Sequence, residues 1–191
     1  MEKKLIIGLD LDGSLIYNNI DIVDLAAKNL NIKNYKQQTD YFFSTLTKQH
    51  KKEILRLFLV PEIMCKNMFI FPGTNVKLIN WKLKGYKIII ITAREKPVYE
   101  GTFKMIKQLF PNLIDNIFFT GDMWGSKKDY MLNEKIDLWV DDVPHGIKTS
   151  LELGIETFMV HNKYTSFYNK EAIGTLIDKD HVIETIADIK L

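Results

Sequence analysis

Two carboxylates follow an apolar run near the start of the chain. The run spans residues 5–9, and Asp10 and Asp12 come next, in Asp10-Leu11-Asp12-Gly13-Ser14. Side chains two residues apart lie on one face of a strand, and aspartate is disfavoured in strands, so the pair indicates a ligand site. The alternatives are a plain turn and a calcium loop. A calcium loop has glutamate at its twelfth residue, where this chain has Asp21.

A hydroxyl group ends a second apolar run. Residues 87–91 are followed by Thr92-Ala93-Arg94 and then by a helical pattern. A hydroxyl with free backbone N–H groups just before a helix can cradle a phosphate. Threonine also ends many strands without any such role, so this pattern needs support from the other strand ends.

Charged residues occur at two further positions of the same kind. Asp141-Asp142 follow the run 138–140, either as part of a site or as caps of the next helix. Upstream, Ser126 opens a helix with a capping-box pattern, and the lysines after it, Lys127 and Lys128, would ordinarily be solvated. In a doubly wound sheet, the ends of the first, second and fourth runs can converge on one crevice.

Short apolar runs alternate with segments of helical spacing along most of the chain. This alternation is typical of an α/β protein, and runs that are apolar on both faces predict buried parallel strands. We therefore expect a doubly wound parallel sheet. The predicted strands are 5–9, 87–91, 117–119, 138–140 and 157–160, and the predicted helices are 74–85, 97–110, 126–135 and 144–153.

The segment 18–71 interrupts this alternation. It contains amphipathic helical patterns at 20–30 and 51–59 and is too long for an ordinary loop. We predict a small helical cap at 18–71, inserted after the first strand into a core formed by residues 1–17 and 72–191. The tail, residues 181–189, is predicted to be a closing helix.

Four of these motifs occur in an order and spacing that resemble a known family. LDLDGSL, IIITAR, SKKDY and LWVDD are similar to the signature motifs of the haloacid dehalogenase superfamily of phosphohydrolases. The resemblance covers the whole chain, including a cap after the first motif, and implies a Rossmann-like core. It also implies that Asp10 attacks phosphorus to form an aspartyl-phosphate, while Asp12 protonates the leaving oxygen and then activates water.

The same resemblance implies a Mg²⁺ cofactor and a phosphate site. The metal would take oxygen ligands from the Asp10 carboxylate, the Asp12 backbone carbonyl and one acid of the last motif. Asp142 is favoured as that ligand, with Asp141 behind it or holding the lysine. The phosphate-binding groups would be Thr92, the Ala93 N–H and Lys127, with Lys128 as the alternative lysine.

Within the superfamily, three segments look like the 5'-nucleotidase, deoxy, cytosolic type C group, which includes the 5'(3')-deoxyribonucleotidases. They are residues 39–44, 68–73 and 167–169. This implies a nucleoside monophosphate substrate, with Tyr41, Phe42 or Phe43 stacking on the base. The same aromatics could instead form the core of the cap. The other hypotheses are a phosphatase for another small phosphate ester, a polynucleotide 3'-phosphatase, and a catalytically silent binding module.

The composition is that of an ordinary globular protein. The 191 residues include 26 Lys+Arg and 24 Asp+Glu, a net charge of +2, so a nucleic-acid partner is not expected. Cys65 is the single cysteine, which excludes an intrachain disulfide and a cysteine-built zinc site. No apolar stretch approaches the roughly 18 residues that span a bilayer. We expect a cytoplasmic protein without a membrane partner, and the sequence does not indicate its oligomeric state.

Overall fold

A parallel sheet forms the centre of the protein. The computed structural model describes residues 4–18, 20–35, 44–121 and 126–191. Its six-stranded sheet has the order β5-β4-β1-β6-β7-β8, with every neighbouring pair parallel. A separate antiparallel ribbon pairs β2 with β3. The strands are β1 Ile6–Leu9, β2 Ile16–Asn18, β3 Met68–Ile70, β4 Lys87–Thr92, β5 Asn116–Phe119, β6 Leu138–Asp141, β7 Glu156–Val160 and β8 Val182–Ile183.

Helices connect most of these strands, and their ends follow local capping rules. Asp21 and Thr47 accept hydrogen bonds from backbone N–H groups in the first turns of α1 and α2. Pro61 and Pro144 open α3 and α7, where a missing N–H costs nothing. The helices are α1 Ile22–Asn29, α2 Lys48–Phe58, α3 Pro61–Lys66, α4 Thr74–Leu83, α5 Tyr99–Leu109, α6 Lys128–Asn133, α7 Pro144–Glu152 and α8 Ser166–Asn169.

The central strands are buried on both faces. Along β4, Ile88 and Ile90 belong to the apolar cluster that includes residues of α4 and α5. Ile89 and Ile91 belong to the cluster on the other face, which includes Met131 of α6. This double burial confirms the parallel, doubly wound sheet predicted from the uninterrupted apolar runs.

The helices α1, α2 and α3 lie between β2 and β3 in the chain. They share an apolar cluster in which Ala26, Ile54 and Met64 are buried, together with Val98 from the segment after β4. The ribbon of β2 and β3 connects this helical segment to the sheet, and the sequence analysis did not predict it. Its cross-strand pairs, such as Tyr17 with Phe69, place large aromatic side chains side by side.

The predicted closing helix at 181–189 is wrong. Val182 and Ile183 instead form β8 at the sheet edge, and a short 3₁₀ turn at Ile186–Asp188 follows. The buried side chains Ile183, Ile186 and Ile189 are three residues apart, a spacing that suits a 3₁₀ turn as well as an α-helix. No helix in the described ranges has the length and apolarity needed to cross a membrane.

Candidate active site

The ends of three neighbouring strands form one side of a cavity. β1 lies between β4 and β6, so Asp10, Thr92 and Asp141 meet at the carboxyl edge of the sheet, where the direction of strand succession reverses. The cavity has a volume of about 670 Å³. Its lining includes these residues together with Asp12, Ala93, Lys127 and Asp142.

A lysine whose side chain is 11% exposed connects two of the carboxylates. The Lys127 ammonium lies 2.5 Å from Asp10 Oδ1 and 2.9 Å from Asp141 Oδ2. Its charge also lies 5.1 Å from the centre of the Trp139 ring, a cation–π contact. Lys128, the alternative in the sequence analysis, is exposed at the start of α6. The structure therefore brings Lys127, rather than Lys128, to the carboxylates.

The two acids after β6 have different surroundings. Asp141 Oδ1 accepts hydrogen bonds from the backbone N–H groups of Asp142 and Val143, and its Oδ2 accepts from Lys127 and the Trp139 indole. These four bonds occupy the lone pairs of Asp141. In the described part of the chain, the Asp142 carboxylate accepts hydrogen bonds from two hydroxyls, those of Ser14 and Tyr168. Asp142 thus retains more capacity to bind a further group.

Close packing around these acids requires two glycines. A Cβ atom on Gly13, whose φ is +85°, would collide with the Asp142 carboxylate. A Cβ atom on Gly146, in the first turn of α7, would collide with the Asp141 carboxylate. Both glycines let the backbone approach a charged group more closely than any other residue would allow.

The pKa values reflect crowding of like charges in a buried place. Burial raises the pKa of Asp10 to about 7, an effect that Lys127 opposes and the Asp141 carboxylate reinforces. Burial, followed by the charges of Asp10 and Asp141, raises the pKa of Asp142 well above its usual value. Burial lowers the pKa of Lys127, but Asp10 and Asp141 outweigh that effect and raise it. The cluster is therefore short of positive charge.

The donor set of the cluster suits a hard divalent cation. Asp10, Asp141 and Asp142 each offer a carboxylate oxygen, and these oxygens lie within 4.8 Å of one another. Three buried carboxylates and one ammonium leave an excess of negative charge that a bound cation would neutralise. Oxygen ligands of this kind are those that Mg²⁺ and Ca²⁺ bind.

The Thr-Ala-Arg motif contributes more than the sequence analysis predicted. Thr92 is buried at the end of β4, and its hydroxyl accepts a hydrogen bond from the Arg94 N–H. Ala93 lines the cavity. The Arg94 guanidinium binds both carboxylate oxygens of Asp12, at 2.7 and 2.8 Å. The sequence motif contained Arg94 but gave no reason to pair it with Asp12.

Aromatic side chains also line the cavity. Tyr41, Phe42 and Phe43, predicted to contact a base, lie outside the described residues. Among the described ones, Tyr17 and Tyr164 stack with ring centres 4.2 Å apart, and both line the cavity. The sequence analysis did not single out either tyrosine, because they come from β2 and from the loop after β7.

Comparison with known proteins places this arrangement in context. No family model matches the chain. A curated protein of Oceanobacillus iheyensis that bears the name putative nucleotidase is 25% identical over 184 residues, covering 90% of this chain and 93% of that protein.

Solved structures show the similarity in three dimensions. A Bacteroides fragilis protein described as a putative haloacid dehalogenase-like hydrolase has a TM-score of 0.66 at 14% identity, covering 97% of this chain and 99% of its own. The chain has the haloacid dehalogenase-like fold. A Haemophilus somnus protein described as a predicted phosphoglycolate phosphatase has a TM-score of 0.66 at 18% identity, covering 98% and 97% of the two chains.

The haloacid dehalogenase-like fold confirms the fold class predicted from the four motifs. It comprises the doubly wound parallel sheet and the helical segment between β2 and β3. The motifs offered the contact of Asp141 with Lys127 as one reading, but gave no indication of the contacts of Asp12 with Arg94 and of Asp142 with Tyr168. Trp139 was the clearest available signal, because an indole two residues before Asp141 in LWVDD lies on the same face of the strand and can donate to that carboxylate.

Proposed function

We propose that this protein is a Mg²⁺-dependent phosphatase that hydrolyses phosphate monoesters through an aspartyl-phosphate on Asp10. The observation that carries the proposal is the position of Asp10. Its carboxylate is buried, contacts Lys127, and lies beside two further acids at the wall of a cavity. A buried nucleophile held by a cation suits attack on an anionic substrate.

The metal follows from the charge excess of the cluster. Asp10, the Asp12 backbone carbonyl and Asp142 would hold Mg²⁺, which when bound supplies positive charge for the phosphate oxygens. Asp142 is the better ligand of the last pair, because the lone pairs of Asp141 are already occupied. Asp141 would instead hold Lys127 in place.

The residues of this chain account for both chemical steps. In the first step, an Asp10 oxygen bonds to phosphorus, the bond to the ester oxygen breaks, and Asp12 gives that oxygen its proton. In the second step, Asp12 takes a proton from water, the water oxygen bonds to phosphorus, and the bond to Asp10 breaks. Phosphate is released and both side chains return to their starting states.

Three groups at the cavity wall would hold the phosphate. The Thr92 hydroxyl and the Ala93 N–H would donate to its oxygens, and Lys127 would neutralise charge that develops on the transferred group. The position of Lys127 at the cavity wall, with its Nζ in contact with both Asp10 and Asp141, supports this role.

We further propose that the substrate is a (deoxy)nucleoside 5'-monophosphate and that residues 18–71 form the cap that covers it. Two observations support a nucleotide: the relative that bears the name putative nucleotidase, and the aromatic lining of the cavity. Stacking of a base on an aromatic side chain contributes about 1–3 kcal/mol. Tyr17 and Tyr164 are candidates for this contact, in addition to Tyr41, Phe42 and Phe43.

A screen of phosphate release tests the proposal. The panel holds nucleoside 5'- and 3'-monophosphates, sugar phosphates, p-nitrophenyl phosphate and a 3'-phosphorylated oligonucleotide, each with Mg²⁺ and with excess chelator. We expect fastest release from nucleoside 5'-monophosphates and none in chelator. If a sugar phosphate or the oligonucleotide releases phosphate fastest, the nucleotide assignment is wrong and that compound gives the substrate class. If no compound releases phosphate, the result supports a catalytically silent binding module. The Asp10→Asn protein is the control for contaminating phosphatases.

A further inference from the structure

Arg94 is a buried cation that the proposed reaction does not use. Its side chain is only 3% exposed. It makes a two-pronged contact in which Nε donates to Asp12 Oδ2 and Nη2 donates to Asp12 Oδ1. A planar guanidinium in this arrangement fixes both the distance and the orientation of a carboxylate.

The opposite side of the guanidinium is also held. Arg94 Nη1 donates to the Thr102 hydroxyl of α5 at 2.9 Å. The sulfur atoms of Cys65 and Met68 lie 3.6 and 3.8 Å from its nitrogens. These two residues belong to the end of α3 and the start of β3, so the guanidinium is anchored by the core and by the returning end of the inserted segment. Arg94 therefore cannot turn freely with Asp12.

Asp12 itself has no comparable packing. Its side chain is 39% exposed and lines the cavity. Without the contact with Arg94, this side chain could adopt several rotamers. A carboxylate has about four lone-pair sites, and the fork occupies two of them. The remaining sites stay available to a group in the cavity while the fork sets the direction in which they point.

We propose that Arg94 is a positioning residue that holds Asp12 in the orientation needed for proton transfer to the leaving group. This inference rests on the proposed phosphatase function. An error of about 1 Å in the placement of a reacting group can cost about 10²-fold in rate. Loss of the fork should therefore impair the step that depends on Asp12 and spare steps that do not.

Esters with different leaving groups distinguish the step that depends on proton transfer from Asp12 from the steps that do not. An alkyl alkoxide needs a proton as it departs, whereas p-nitrophenolate is a stable anion that leaves without one. The quantity to compare is kcat/KM, because it covers the steps up to departure of the leaving group and excludes hydrolysis of the aspartyl-phosphate. Any general loss of phosphate affinity from removing a positive charge affects both esters and cancels in the ratio.

The experiment measures kcat/KM for Arg94→Met on p-nitrophenyl phosphate and on the alkyl phosphate that the wild-type protein hydrolyses fastest. We expect a loss of about 10²-fold on the alkyl ester and at least about tenfold less on the aryl ester. Arg94→Lys, which keeps the charge but not the planar fork, should recover part of the difference. If Arg94→Met does not fold, the same ratio measured on Arg94→Lys decides the question.

Arg56→Met is the matched control. Arg56 makes the same two-pronged contact with Glu53, but on the exposed face of α2, so its loss should change neither ester by more than about twofold. A second test adds Arg94→Met to Asp12→Asn. If Arg94 acts through Asp12, the double variant should show the same ester ratio as Asp12→Asn alone.

The outcomes divide clearly. Equal losses of Arg94→Met on both esters, or a further change of the ratio in the double variant, would overturn the positioning role and leave Arg94 as a structural residue. Failure of the wild-type protein on both esters would contradict the proposed function itself, and that result is visible before any variant is made.

Discussion

The carboxyl edge of the sheet and the helical segment between β2 and β3 are stabilised in opposite ways. At the sheet edge, Asp10, Asp141 and Asp142 crowd like charges into a buried place, with Lys127 between two of them. The helical segment buries an apolar cluster that involves α1, α2 and α3. The first arrangement costs stability and the second supplies it. Variants in the two regions should therefore separate activity from stability.

The largest effect is expected from Asp10→Asn. The change removes the proposed nucleophile but keeps the size of the side chain, so Mg²⁺-dependent phosphate release should fall by about 10⁴-fold or more. Circular dichroism should show an intact fold. Activity near the wild-type level would contradict the role of Asp10. It would also contradict the assignment of activity to the sheet edge and of stability to the helical segment.

The next largest effect is expected at the adjacent lysines. Lys127→Met removes the ammonium that contacts Asp10 and Asp141 and should lower kcat/KM by about 10²- to 10³-fold. Lys128→Met, the matched control, removes an exposed charge one residue away and should change kcat/KM by less than about twofold. Steady-state kinetics on one substrate measure both, and a larger loss at Lys128 would reverse the assignment.

A smaller effect on activity, with a clear effect on stability, is expected in the helical segment. Leu57 is 2% exposed in the apolar cluster, so Leu57→Ala should lower the free energy of unfolding by about 2–5 kcal/mol. Leu55→Ala changes a side chain of the same helix that is 43% exposed and should cost less than about 1 kcal/mol. Urea titration measures both. Unchanged stability with a large loss of kcat for Leu57→Ala would show that this apolar cluster does not stabilise the segment.

The smallest effect is a pH dependence of stability in the metal-free protein. The pKa of Asp10 is raised to about 7 in the folded state, above its unfolded value. Its neutral form therefore contributes stability that is fully present below the unfolded pKa and is lost as the pH rises through about 7.

Asp10→Asn isolates this contribution from other titrating groups. In chelator, Tm of Asp10→Asn minus Tm of wild type should increase between pH 5 and pH 8 by about 5–10 °C, because the interval from pH 5 to pH 7 corresponds to about 3 kcal/mol of lost stability. Added Mg²⁺ should reduce the difference at pH 8, because the ion favours ionised Asp10. A difference that is flat with pH would show that Asp10 is not destabilised by ionisation.

The contrast between the two regions also explains what the sequence could predict. Residues 88–91 are four consecutive isoleucines, a pattern that only a strand covered on both faces can bury. Once the strands were placed, the meeting of Asp10, Thr92 and Asp141 followed from the shared edge of a parallel sheet. The fold class and the location of the candidate site were therefore predictable from local patterns.

The partners of the acids were not predictable in the same way. The Arg94 contact with Asp12 joins residues 82 positions apart, and the Tyr168 contact with Asp142 joins residues 26 apart. Such contacts depend on the packing of loops and on the returning end of the inserted segment, which no periodicity encodes. The prediction of a helix at residues 181–189 was wrong for a related reason. Burial of Ile183 and Ile186 is compatible either with an edge strand followed by a 3₁₀ turn or with a helix.

Trapping of the aspartyl-phosphate tests the central claim most directly. Protein quenched in acid during turnover of the best substrate is treated with borohydride, which reduces an acyl phosphate to an alcohol and converts a phosphorylated aspartate to homoserine. Peptide mass spectrometry then locates the change. We predict homoserine at position 10, dependent on substrate and absent from Asp10→Asn. Steady phosphate release with Asp10 unmodified in the quenched samples, or with homoserine at another aspartate, would contradict the account.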